Sequence, residues 1–100
     1  MQFRNRGNPK GRNLQGSEDL ISLISLSEGK KGVIAYAHGG FGLIRRLAEM
    51  GLTPGVEVKI LRKCPFRGPL EIEVRGVALA LGYGVASKVL VRPLKAESNG

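Results

Sequence analysis

Eleven consecutive residues, Arg45-Arg46-Leu47-Ala48-Glu49-Met50-Gly51-Leu52-Thr53-Pro54-Gly55, restrict what this chain can fold into more than any other feature. Leu43, Ile44, Leu47, Ala48 and Met50 recur at steps of three and four, which gathers them on one stripe of an α-helix and leaves Arg45, Arg46 and Glu49 to solvent. Gly51 can adopt the left-handed conformation that stops a helix, and Leu52 is placed to pack back on Leu47. Thr53-Pro54-Gly55 reads as a tight turn, with Pro54 fixing φ at the first central position and Gly55 supplying positive φ at the second. Beyond it Val56, Val58 and Ile60 alternate with Glu57, Lys59 and Leu61, so the period changes from helical to extended. A short amphipathic helix is therefore folded directly onto a strand.

The rest of the chain reads as short strands. Leu20 to Leu26 is an apolar run too brief for periodicity to separate strand from helix; we expect a strand near residues 20 to 24, then a turn or single helical turn. Lys31 to Ala37 reads as a strand, and His38-Gly39-Gly40-Phe41-Gly42 as a tight entry into the helix. These glycines do not match either phosphate-loop spacing, GxxxxGK[ST] or GxGxxG in a βαβ unit. Lys63 to Pro69, with two prolines and a glycine, is a loop after the strand at 56 to 62. Leu70, Ile72 and Val74 alternate with Glu71, Glu73 and Arg75, and their polar face can set Glu71 or Glu73 opposite Lys59. Arg75-Gly76 makes a two-residue hairpin turn into a strand from Val77 to about Leu81, with positive φ at Gly76. Val85 to Lys88 fits one helical turn, and Val89 to Val91 a last strand. The expected fold is mainly β: a small curled antiparallel sheet, closed as a barrel, with one α-helix inserted between the early strands and a short helical turn near the C-terminus.

One hundred residues suit a single small domain with a thin core. Residues 1–19, with Arg4, Arg6, Lys10 and Arg12 among Gly, Asn and Gln, are expected to be a disordered basic tail, residues 20–93 the folded domain and 94–100 a flexible tail. The sequence contains no apolar run near the about 20 residues of a membrane span and no secretory apolar stretch at its start, so we expect a soluble cytoplasmic protein. Cys64 is the sole cysteine, as a reducing compartment tolerates. The net charge of +8 attracts acidic partners of any kind, nucleic acid included.

The inventory of reactive groups points away from catalysis. A nucleophile needs a positioned base, yet the one histidine, His38, and Cys64 fall in different loops. A structural metal site needs about four ligands, more than one His and one Cys supply, and Glu28, Glu49, Glu57, Glu71 and Glu73 form no paired-carboxylate motif. We expect no catalytic residues, metal site, cofactor or small-molecule substrate.

Leu23, Leu26 and Gly29, Gly32 to Ile34, the run Arg46 to Gly55, Val58, Pro65, Gly68-Pro69, Val74-Arg75-Gly76, Leu79-Ala80-Leu81, Ala86 and Val91 together resemble the FeoA family, small cytoplasmic accessory proteins of ferrous iron uptake. The likeness covers about residues 20 to 92, and the RLxEMGLxPG stretch with a downstream VRG hairpin is its specific part. It implies an SH3-like β-barrel, no catalysis, and action through the membrane transporter FeoB, whose cytosolic part carries a GTPase domain. The same barrel is similar to the C-terminal domain of iron- and manganese-dependent repressors, although this chain has no DNA-binding helix pair before it. The basic tail and Cys64 depart from the family pattern and leave room for an additional partner.

Leu47, Gly51, Pro54, Gly55 and Gly76 are the expected structural residues. Arg45 and Arg46 on the helix, Arg62 at a strand end, and Phe66 and Arg67 in the following loop are the expected partner-binding residues, because aromatic and arginine side chains dominate protein-interface anchors. The alternatives are a basic SH3-like barrel that binds nucleic acid, weakened by the lack of interleaved aromatics, and a metal-responsive regulatory domain, weakened by the ligand count.

Overall fold

The computed structural model describes residues 19–95. Most of the expected basic tail, and the C-terminal tail beyond Lys95, lie outside them. Leu94 is tied to the sheet, its N–H donating to the Lys31 carbonyl at 2.9 Å.

Six strands form one antiparallel sheet: β1 (Ile21–Ser22), β2 (Lys31–Ala37), β3 (Glu57–Lys63), β4 (Leu70–Val74), β5 (Val77–Leu81) and β6 (Val89–Pro93). Their order across the sheet is β1-β6-β2-β3-β4-β5, which sets the last strand between the first two. A 3-10 turn, Leu23–Ser25, follows β1; α1 (Phe41–Glu49) joins β2 to β3; α2 (Tyr83–Ser87) joins β5 to β6. The fold is mainly β with a helix inserted early, as the alternation of apolar residues predicts. The sheet does not close: β1 and β5 are its edges. Its open side is filled by Leu23 and Leu26 after β1, Leu47 of α1 and Ala86 of α2, all buried in one cluster with Val58, Ile60, Leu70, Ile72, Val89 and Val91.

The β1 region splits between the two conformations left open by its sequence. Ser22 ends the strand because its Oγ accepts the Ile24 N–H at 3.4 Å, and its hydroxyl donates to the Ser87 carbonyl at 2.9 Å. A side chain that satisfies a nearby amide favours a turn over continued extension.

At the end of α1 the backbone of Gly51 has φ +83°, its N–H donates to the Ala48 carbonyl at 2.9 Å, and the Leu52 N–H donates to the Leu47 carbonyl at 2.8 Å. This pair of bonds is the Schellman stop, and the buried Leu47 and Leu52 supply its hydrophobic contact. The turn beyond it closes with the Val56 N–H on the Thr53 carbonyl at 3.1 Å, with φ +92° at Gly55. Only Leu47 of the helical stripe is fully buried; Leu43 and Met50 pack partly, and Ile44 is 39 % exposed. The stripe thus meets the core chiefly through Leu47, with Leu43 and Met50 packing partly beside it.

Lys59 lies opposite Glu73 and Arg62 opposite Glu71 across β3 and β4. A register shift between Ile60 and Arg62, with Leu61 exposed, and another between Ile34 and Tyr36, bend these strands around the core. The β4–β5 hairpin turns at Arg75 and Gly76, with φ +52° and +80°, the two-residue turn whose twist matches paired strands.

Candidate functional site

The loop between β3 and β4 is exposed and is held by its own backbone bonds. Its neck is held by the Cys64 N–H donating to the Pro69 carbonyl at 3.1 Å, and its tip by the Gly68 N–H donating to the Pro65 carbonyl at 3.0 Å. The two central residues of that tip are Phe66 and Arg67, with φ +57° and +60°. A left-handed backbone costs a residue with a side chain on the order of 1 kcal/mol or more, and glycine or asparagine is the ordinary occupant of such positions. Here a phenylalanine and an arginine occupy them. Phe66 is 98 % exposed, and the Arg67 guanidinium sits 5.9 Å from the ring centre of Tyr83, at the outer reach of a cation–π contact.

Gly68 is required by close approach rather than by its φ. A Cβ placed there would lie 2.7 Å from Cβ of Cys64 and 3.1 Å from the Pro65 carbonyl oxygen. The neck therefore fixes the direction in which the tip projects, with the half-buried Cys64 close against Gly68.

The other expected binding residues divide between two ends of β3. Arg62, at the tip end, pairs with Glu71 at 3.6 Å. Arg45 pairs with Glu49 at 3.8 Å along α1, while Arg46 is exposed beside it. Both pairs are solvent-exposed and contribute little to stability. The turn after α1 leads into the first residue of β3, and the tip follows its last residue; seven extended residues span roughly 20 Å. The structure thus brings together Arg62, Phe66 and Arg67, with Tyr83 joining them, and sets Arg45 and Arg46 apart. Tyr83 escaped the sequence reading because the contact is made from a distant part of the chain. Leu47 is buried, Gly51, Gly55 and Gly76 hold positive φ, and Pro54 lies within the turn closed by the Val56 N–H on the Thr53 carbonyl.

A second apolar feature lies at the α1 end, where Tyr36, Ile44, Leu52 and Pro54 border a crevice of about 150 Å³. Phe41 is 81 % exposed on the same helix. Cys64 and His38 are at opposite ends of the sheet: His38 follows β2 at the α1 end, its N–H on the Lys88 carbonyl at 2.7 Å, and Cys64 follows β3. Among the described residues there is no group of three His, Cys, Asp or Glu side chains placed to hold a metal ion, and no helix long and apolar enough to cross a membrane.

Comparison with known proteins places this arrangement. The model of the FeoA domain matches residues 21–93. Fe(2+) transport protein A of Methanocaldococcus jannaschii is 33 % identical over 72 residues, covering 72 % of this chain and 85 % of that protein. The crystal structure of an iron uptake regulatory protein, FeoA, superposes with a TM-score of 0.71 at 38 % identity, covering 76 % of this chain and 100 % of the other. The zinc complex of FeoA from Stenotrophomonas maltophilia, described as a prokaryotic SH3 domain protein, aligns with a TM-score of 0.61 at 29 % identity over 71 % of this chain and 88 % of its own.

Proposed function

Because the chain belongs to the FeoA family, whose members are accessory proteins of ferrous iron transport rather than enzymes, we propose that it acts in the cytoplasm by docking on the cytosolic part of the ferrous iron transporter FeoB. The docking element is the β3–β4 tip, with Phe66 as the apolar anchor and Arg62 and Arg67 as its charged flank. The observation that carries this reading is the combination at Phe66 of near-complete exposure and a backbone conformation that penalises its side chain. Nothing in the monomer is gained from that side chain, so its contribution lies outside the monomer. A phenylalanine has about 150–250 Å² to bury, and burying it contributes about 1.5–3 kcal/mol before ordering costs. A preformed tip lowers those costs, because its backbone is already fixed.

The charge of the chain makes the partner surface acidic. Exposed charges are screened over about 8 Å at physiological ionic strength, so docking weakens as salt is added. The test is calorimetry against the transporter's cytosolic fragment, with duplex and single-stranded nucleic acid as controls. Phe66→Ala and the double change Arg62→Glu/Arg67→Glu should each weaken binding at least tenfold, about 1.4 kcal/mol. Unchanged affinity in both variants removes this tip from the interface. Tight, salt-sensitive binding to nucleic acid alone replaces the transporter with the nucleic-acid reading.

A further inference from the structure

β5 is an edge strand of sequence Val77-Ala78-Leu79-Ala80-Leu81, without a charged residue or a proline. Soluble proteins blunt such edges with lysine, proline or a covering segment, since an uncovered edge invites another strand. The absence of charge is notable in a chain of net charge +8. Val74 and Val77 flank the two-residue turn and form a hydrogen-bonded pair, so the pattern along β4 and β5 alternates from there. Leu79 and Leu81 therefore direct their backbone groups to β4, and Ala78 and Ala80 direct theirs outward. Both alanines are exposed, and among the described residues no hydrogen bond reaches that outer side.

The opposite face of the strand carries a second sign. Val77, Leu79 and Leu81 lie on the core face, in register with Val74, Ile72 and Leu70. Leu81 is buried, Leu79 only half so, and Val77 is 56 % exposed. The apolar layer continues past the point where the described residues cover it.

We propose that β5 is a self-association edge, occupied by the β5 of a second copy of this chain in antiparallel pairing about a two-fold axis at Leu79. That register sets Ala78 opposite the second copy's Ala80, and each such pair exchanges two backbone hydrogen bonds through groups that bond to no described residue. Leu79 meets its own counterpart in the closely spaced, non-hydrogen-bonded position, which covers the two half-buried leucines with each other. The strand reads the same kind of residue in both directions from Leu79, alanine then a large apolar residue. This is what a two-fold contact demands, because each copy presents the same patch. Two cationic molecules can approach along this strand because it adds no charge of its own. The product is one continuous sheet of two copies with the Phe66 tips at opposite ends.

A five-residue edge buries well under the about 1,200 Å² of a standard interface, so the dimer is weak and requires measurement up to about 1 mM protein. Sedimentation equilibrium of the full chain should show a reversible monomer–dimer equilibrium. Ala78→Pro removes an N–H that points away from β4, so it should leave the monomer's circular dichroism unchanged and abolish the dimer. The register is tested by two doubles: Ala78→Lys/Ala80→Lys sets like charges opposite each other and should dissociate the dimer, whereas Ala78→Lys/Ala80→Glu sets two opposite-charge pairs and should retain it. A monomer at every concentration overturns the proposal, as does a dimer that survives Ala78→Pro and the double lysine change. Loss of the dimer in both doubles rejects the register.

Discussion

The N–H of Leu52 donates to the carbonyl of Leu47 at 2.8 Å, a bond that reaches back over five residues and brings two buried leucines together at the point where helix becomes strand. It exists because Gly51 between them holds φ +83°.

Gly51→Ala should lower stability by about 1 kcal/mol, measured by denaturant unfolding. No atom lies within 4 Å of the added methyl group, so the cost is backbone strain alone. A rise in melting temperature would show that Gly51 does not hold the stop.

Leu47→Ala should cost about 2–5 kcal/mol, because the side chain is 2 % exposed and its removal leaves a cavity. Ile44→Ala, three residues earlier on the same stripe, should cost less than about 1 kcal/mol, since that side chain is already 39 % in water. Equal losses for the two would mean that the first turn of α1 packs as firmly as the last.

Phe66→Gly separates binding from stability by sign. Glycine relieves the left-handed strain at φ +57°, an expected gain of about 1 kcal/mol in unfolding experiments, while the anchor for the transporter fragment is lost. A variant that is both less stable and binding-deficient would place the Phe66 side chain within the fold.

Gly68→Ala should destabilise by about 1–3 kcal/mol, as overpacking does, because the new methyl would fall 2.7 Å from Cβ of Cys64. Amide chemical shifts should move at Cys64, Phe66 and Arg67 and stay in place on α1. An unchanged tip spectrum would show that the neck yields without cost.

Much of this was legible in the chain itself, for local reasons. Val58 and Ile60, or Leu70, Ile72 and Val74, declare a strand by alternation, and Gly51, Gly55 and Gly76 declare stops and turns by the φ they allow. What could not be read depends on partners distant in sequence or on single side-chain contacts. The 3-10 turn after β1 follows from one hydroxyl on Ser22. The partial docking of α1 is set by tertiary packing that the helical period does not encode, so Ile44 looks like core in the sequence and is 39 % exposed. At the tip, the composition of residues 64–69 marks a loop and an interface, but nothing in Phe66 or Arg67 announces positive φ. That conformation is imposed by the neck around them, through Gly68 and the bond from Cys64 to Pro69.

The place of β6 between β1 and β2 also sets a timetable for synthesis. β2 through β5 form a run of sequential neighbours, so they can begin to pair while the chain is still emerging from the ribosome. β1 emerges before any of them, yet among the described residues its strand partner is β6, the last of the six: Ile21 meets Val91 and Ser22 meets Leu90. Contacts of that span carry the largest loop-closure cost and form late. Until β6 has emerged, Val89 and Val91 are missing from the core, and the nascent chain exposes the edges of β1 and β2 that β6 later covers.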